Sequence, residues 1–139
     1  MDIKRKVKNR IYKKYIPNVV NIVVEKGVTK IGNGAFACMP KLKTAQVQGN
    51  LGMADFWGCA NLEKVTYTNG AGTIGFACFA ECKKLKSVAI PEGISAIDKS
   101  CFANCKKLKR INLPSTLKTI GENGFYGCTG LRTVTEKAE

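Results

Sequence analysis

The sequence predicts a single-domain α/β solenoid of about five coils, each about 23 residues long. The first observation behind this is a repeat, because the chain divides into rows with the same apolar spacing, starting at Ile31, Leu51, Ile74, Ile97 and Ile120. The second is that each row has a strand-like half and a turn-rich half. One coil alone cannot bury its apolar face, whereas stacked coils can, so the repeat indicates a stack.

The second half of each row predicts a β-strand. In the third row its apolar residues are Leu85, Val88 and Ile90, and the last two lie two residues apart on one side of a strand. Pro91 and Pro114 then end two of these strands. Strands of successive coils are expected to pair in parallel and form the concave face. The spacing L-x-x-L-x-L is that of the strand in a leucine-rich repeat.

The first half of each row, G-x-x-x-F-x-x-C, has apolar residues three and four apart, and predicts a short helix or 3₁₀ turn on the convex face. Its phenylalanines form one predicted core column: Phe36, Phe56, Phe79, Phe102 and Phe125. Trp57 follows Phe56, and has two interpretations: a partner anchor on the convex surface, or a partly packed side chain.

The two ends of the chain differ. Residues 1–18 predict a basic amphipathic capping helix, helical over 3–15, ahead of a solenoid at 19–139 that starts with the strand VVNIVV. Contact of this helix with a membrane surface or with nucleic acid is an alternative. After Val134 no cap is visible, so the last coil could fray, pair with a copy of itself, or be covered by further chain.

The rows resemble the BspA-type, or Treponema-type, leucine-rich repeat, most fully in IDKSCFANCKKLKRINLPSTLKT at 97–119. The resemblance covers roughly residues 19 to 134. It implies a surface or secreted protein that acts in adhesion and protein binding, without catalytic residues in its repeats. The chain departs from the family's usual setting in its strong positive charge, its few repeats and the lack of a signal peptide. It is therefore expected in the cytoplasm if the chain is complete, and at the cell surface or secreted if it is part of a longer protein.

The seven cysteines favour core packing over a disulfide, redox or metal role. Four of them share a column with Met39, and two more share a column with Ala35, Asp55 and Gly124, as a small buried side chain would. The C-x-x-x-C spacing and the absence of histidine do not fit a zinc site. Cys38 lies outside both columns and is the predicted exposed thiol. No metal and no cofactor is predicted.

Cations recur at the start of each strand. The chain has 23 Lys and Arg, 10 Asp and Glu, and a net charge of +13. Equivalent positions of a solenoid stack vertically, so these side chains predict a basic stripe along one edge of the sheet, interrupted by Glu63. The candidate partner-binding residues are Lys43, Lys64, Lys84, Lys86, Lys107, Lys109, Arg110 and Arg132. A solvated edge copied by repeat duplication is the alternative.

Several function classes follow from these patterns. The first is a non-catalytic interaction module that presents a concave sheet and a basic edge to an acidic protein or glycan. The second is a basic protein that binds nucleic-acid phosphates non-specifically, by charge only, because interleaved base-stacking aromatics are missing. A fragment of a secreted or surface adhesin is a third. An enzyme is not expected, because the chain has no histidine, no paired-carboxylate motif and no phosphate-binding loop.

Overall fold

Residues 17–138 are described by a computed structural model. The capping helix predicted for 3–15, within 1–18, lies outside the described residues. The described chain contains nine short strands: β1 Asn21–Val23, β2 Thr44–Val47, β3 Lys64–Tyr67, β4 Gly72–Ile74, β5 Ser87–Ala89, β6 Ile94–Ile97, β7 Arg110–Leu113, β8 Thr119–Ile120 and β9 Thr133–Glu136.

Six of these strands form one parallel sheet in the order β1-β2-β3-β5-β7-β9. Equivalent residues of successive coils are in register, as in the pairs Val88 with Ile111 and Ile111 with Val134. In β3 and β7 the apolar residues face the core and the polar residues face outward, with the pattern exposed-buried-exposed-buried. All four residues of β9, in the last coil, are exposed. The predicted parallel stack of strands is therefore confirmed, including a first strand within VVNIVV.

A second parallel sheet, β4-β6-β8, was not predicted from the sequence. It begins in the loop that follows the main strand, where Ile94 and Ile97 are three residues apart and are both buried. The first two coils carry only an isolated bridge between Lys30 and Asn50 at this side. From the third row onward the coils therefore have three sides, because the main strand, the second strand and the turns each form one.

The turn half of each coil differs from the predicted helix or 3₁₀ segment. No α-helix is present among residues 17–138. Instead, two positions in the turn half of every row have a left-handed backbone, such as Ala77 with φ 53° and Glu81 with φ 64°. A helix of L-residues does not tolerate such residues, so the segment turns repeatedly and cannot become helical.

The turns are stabilised by hydrogen bonds between coils. The Phe79 N–H donates to the Cys101 carbonyl at 2.8 Å, and the Glu81 N–H donates to the Ala103 carbonyl at 2.8 Å. The same alternation of donors recurs from coil to coil. Because these N–H groups point to the next coil, they are not available for bonding within a helix.

The core is a column of aromatic rings between the turns and the main sheet. The rings of Phe56, Phe79 and Phe102 are fully buried, and neighbouring rings lie 5.4 and 5.3 Å apart in stacked geometry. Phe125 continues the column with its ring 5.4 Å from that of Phe102, but is only partly buried. This confirms the predicted phenylalanine column and shows that it extends through the coils as one continuous stack.

Candidate functional site: the strand face and its basic edge

The outward side of the six-stranded sheet, here called the strand face, is mostly polar, and most of its side chains are small. Its upper row comprises Asn21, Thr44, Lys64, Ser87, Arg110 and Thr133, and its lower row comprises Val23, Gln46, Thr66, Ala89, Asn112 and Thr135. The Thr44 hydroxyl donates to the Asn21 side-chain oxygen at 2.6 Å. The face offers many hydrogen-bonding groups without a large aromatic side chain.

The predicted basic stripe is one residue before the strand face, and backbone hydrogen bonds show its order. The Glu63 N–H donates to the Lys43 carbonyl, the Lys86 N–H to Glu63, the Lys109 N–H to Lys86, and the Arg132 N–H to Lys109, at 2.8 to 3.2 Å. Successive side chains therefore lie on neighbouring strands, about 4.8 Å apart. We call this column and the cations beside it the basic edge.

The other candidate cations flank this column. Lys84 and Lys107 each precede a fully buried leucine, in equivalent positions of adjacent coils. Lys64 and Arg110 belong to the strand face itself, and share one row with Ser87 between them. The structure thus places all eight candidates along one edge, and all eight side chains are exposed.

The cations of this edge have few carboxylate partners. Across residues 17–138 one ion pair occurs, in which Lys86 Nζ lies 3.6 Å from Glu63 Oε1. The two side chains are 65% and 40% exposed, so solvent screens this pair. The remaining ammonium and guanidinium groups repel one another, because they stack within the Debye length of about 8 to 10 Å. An anionic ligand would relieve this repulsion.

A groove at the opposite end of the first strands was not predicted. It has a volume of about 480 Å³ and is lined by Val23, Glu25, Lys26, Gln46, Thr66 and Asn69, among others. The Gln48 amide closes one side by donating to the Glu25 and Val28 carbonyls at 2.6 and 2.7 Å. The sequence signal for it was weak, because polar residues after a strand also occur in ordinary loops.

The cysteine column packs in the core, as predicted, and has a second role that was not predicted. The thiols of Cys59, Cys82, Cys105 and Cys128 donate to a phenylalanine carbonyl of the preceding coil, at 3.0 to 3.2 Å. Burial raises the pKa of Cys59 to about 11 and that of Cys101 to about 12. Both thiols are therefore neutral, and that of Cys59 is a hydrogen-bond donor. Within residues 17–138 no group of three Cys, Asp or Glu side chains is placed to hold a metal ion.

Thiol labelling should distinguish the cysteines by their burial. We expect a maleimide to modify Cys38 rapidly in the folded protein, because Cys38 is exposed, and Cys128 more slowly, because it is partly buried. The other five cysteines should react only after unfolding in denaturant, since they are buried. Peptide mass mapping after timed labelling measures this. Rapid modification of Cys82 or Cys105 in the native state would contradict the packing of this column.

Asp55 is the one buried charged or polar side chain in the described core, and is fully enclosed. Its carboxylate accepts the Gly52 N–H at 2.6 Å and the Ala35 N–H at 3.4 Å. Burial raises the pKa of Asp55 to about 7, because loss of solvent outweighs the hydrogen bonds that favour the ionised form. The sequence placed Asp55 in a column of small side chains, but it did not predict that this carboxyl group would be buried.

Several large apolar side chains lie on the turns. Trp57 is 43% exposed, which agrees with a position on the outer surface, and Met53 and Phe76 are similarly exposed. Through residues 17–138, no helix has the length and apolar character to cross a bilayer.

The repeated strand–turn coil, its phenylalanine column and its cysteine column define a leucine-rich-repeat solenoid. The family described as the BspA type leucine rich repeat region, with six copies, matches residues 49–138. The chain belongs to this family. Leucine-rich-repeat solenoids typically serve as interaction modules, and are typically non-catalytic.

Three solved structures share the fold. A leucine rich cell surface protein of Faecalibacterium prausnitzii matches with a TM-score of 0.75 and 28% identity, over 87% of this chain and 33% of that protein. A leucine-rich repeat protein of Bacteroides ovatus matches with a TM-score of 0.65 and 26% identity, over 84% and 37% of the two chains. The leucine rich repeat protein of T. pallidum matches with a TM-score of 0.71 and 22% identity, over 83% and 57%.

The chain thus spans between a third and just over half of the length of these relatives. No curated protein sequence matches it significantly.

Proposed function

We propose that this protein is a non-catalytic interaction module whose strand face and basic edge bind an acidic protein or an acidic glycan. The observation that carries the proposal is the column of stacked cations beside a polar sheet, which leaves positive charge without carboxylate partners. Anionic groups on the bound molecule would form ion pairs with these cations. The small polar side chains of the strand face would donate and accept hydrogen bonds.

The comparison with the Faecalibacterium prausnitzii protein supports a place at the cell surface, because that relative is a cell surface protein. The comparisons give no support to the alternative of a cytoplasmic protein. The interaction of this solenoid would then be with molecules outside the cell.

The proposal also includes a basic capping helix at 1–18 and self-association through the last coil. Both features were predicted from the sequence alone.

Charge reversal at the basic edge should weaken binding to acidic probes. We expect the triple variant Lys86→Glu, Lys109→Glu and Arg132→Glu to bind poly-L-glutamate and heparin at least about tenfold more weakly than the parent. The physical reason is that three neighbouring attractions become repulsions. Biolayer interferometry on both probes over a salt series measures the change.

The matched control changes three exposed lysines elsewhere, Lys30→Glu, Lys99→Glu and Lys118→Glu, with the same change of net charge. It should retain most of the affinity. Equal losses in both variants would mean that the total charge attracts the probes and that the basic edge is not a site. Absence of binding by the parent to both probes would overturn the proposal.

The strand face is tested separately. An added carboxylate at Ala89→Glu, on the exposed side of β5, should weaken binding, whereas Thr73→Glu, on the exposed side of β4 in the second sheet, should not. An unchanged affinity in the Ala89→Glu variant would remove the strand face from the binding surface.

A further inference from the structure

The cations of the basic edge are concentrated in two adjacent coils. The loop and strand start of the third row carry Lys83, Lys84 and Lys86, and the fourth row repeats this as Lys106, Lys107 and Lys109. We call these six residues the double basic row. The Lys109 N–H donates to the Lys86 carbonyl at 2.9 Å, which sets the two rows on neighbouring strands. All six side chains are exposed.

The earlier coils of the same edge are less basic. Lys41, Lys43 and Lys64 lie there, but Glu63 lies in their column and pairs with Lys86 at 3.6 Å. In the third and fourth coils the positions that stack on Glu63 are both lysines. The Glu81 carboxylate, two residues before Lys83, accepts a hydrogen bond from the Asn104 side-chain amide at 2.9 Å and forms no ion pair with a lysine of this row. Within residues 17–138, five of the six lysines of the double basic row therefore have no carboxylate within ion-pair distance.

The double basic row presents charge without an apolar anchor. The leucines between its lysines, Leu85 and Leu108, are fully buried in the core. A protein interface has an apolar centre with aromatic or aliphatic anchors, and such a centre is missing from this surface. Single-stranded nucleic acid is bound with aromatic side chains that stack on the bases, and the exposed aromatic residues Trp57, Phe76 and Tyr126 belong to the turn half of the coil.

A flexible polymer with a high density of anionic groups fits these features. Lysine and arginine clusters of this kind bind either nucleic acid or heparin-like polymers. The two rows are about 4.8 Å apart, so a lysine of one coil and its neighbour in the next coil can contact the same anionic group. Binding would replace the repulsion among the five unpaired lysines with ion pairs. We propose that the double basic row is a site for a sulfated polysaccharide, in which the sulfate groups pair with the lysines of both coils.

This inference rests on the proposed function and names the chemical class of the partner. It predicts that affinity increases with sulfation, because each lost sulfate removes an ion pair. It also predicts that the site is local, so that exposed lysines outside the basic edge contribute little.

The test compares two triple variants with the same change of net charge. The first changes the double basic row, Lys84→Glu, Lys107→Glu and Lys109→Glu, and the second changes three exposed lysines outside the basic edge, Lys30→Glu, Lys99→Glu and Lys118→Glu. Binding of a heparin decasaccharide, of chemically desulfated heparin, of poly-L-glutamate and of an oligothymidylate is measured by titration calorimetry. Circular dichroism melting of each variant verifies that it is folded.

The expected result is a loss of about tenfold or more in heparin affinity for the first variant, and of less than about threefold for the second. Desulfated heparin should bind the parent at least about tenfold more weakly than heparin. Equal losses in the two variants, or equal affinities for heparin and its desulfated form, would overturn the proposal. So would tighter binding of the oligothymidylate than of heparin through the same lysines, which would identify a nucleic-acid site.

The same binding data distinguish a sulfated-polysaccharide site from a module that binds acidic partners in general. Binding of poly-L-glutamate through the basic edge without binding of heparin would overturn the sulfated-polysaccharide site and leave the acidic-partner module intact. Binding of neither probe would overturn both.

Discussion

Replacing Phe79 with alanine should destabilise the protein by about 3 to 5 kcal/mol. The Phe79 ring is fully buried, and is stacked between the rings of Phe56 and Phe102 at 5.4 and 5.3 Å. Its removal leaves a cavity that two neighbouring coils share, so neither coil can close it alone. Urea unfolding followed by circular dichroism measures the change in the free energy of unfolding.

The matched control for this substitution is Trp57→Ala, which also removes an aromatic side chain. Trp57 is 43% exposed and lies outside the ring column. We expect a loss below about 1 kcal/mol for this variant. Similar losses in both variants would contradict a continuous ring column as the main stabilising feature of the coils.

The stability of the parent protein should fall between pH 4 and pH 7, relative to that of the variant Asp55→Cys. The pKa of Asp55 is raised to about 7 in the folded state from an ordinary value of 3.8. In this window the unfolded state releases the proton and the folded state retains it, so unfolding becomes more favourable as the pH rises. The loss should reach roughly 2 to 4 kcal/mol and should level off above about pH 7.

Cysteine is the appropriate replacement because Cys78 and Cys101 occupy the equivalent position in the next two coils. Burial raises the pKa of Cys78 well above its ordinary value, so a thiol at this position does not titrate over the same range. Urea unfolding of both proteins at several pH values gives the difference, in which the other titrating groups cancel. Parallel pH profiles would show that Asp55 is not held in a raised-pKa environment.

The strands and the core were predictable because they depend on residue identity at a fixed period. Val88 and Ile111 could be aligned from the sequence alone, and the structure pairs them directly. The positions of Cys38 at the surface and of Cys82 in the core followed from the same alignment. In a solenoid, the register of one coil repeats in the next, so a local pattern determines tertiary contacts.

The turn half was predicted less well, because apolar spacing by three and four residues also occurs in helices. The turns differ from a helix in the positive φ of residues such as Ala77 and Ser100. An alanine or a serine in the sequence does not indicate a positive φ. The second sheet was missed because β8 has only two residues, and its strand pattern is too short to recognise. The basic edge was predicted from the sequence. The ion pair between Lys86 and Glu63 and the burial of Asp55 depend on contacts between coils, which residue identity alone does not show.

The hydrogen bonds between coils also determine how the molecule would respond to a pulling force. In both the strands and the turns, these bonds connect one coil to the next, so tension along the stack would act on successive coils in series. An end coil could then peel away while the remaining coils keep their rings stacked. Each step would release one row of about 23 residues, or about 76 to 83 Å of extended chain. Such a solenoid would lengthen in steps under load and shorten again when the load is removed, as a molecular spring does.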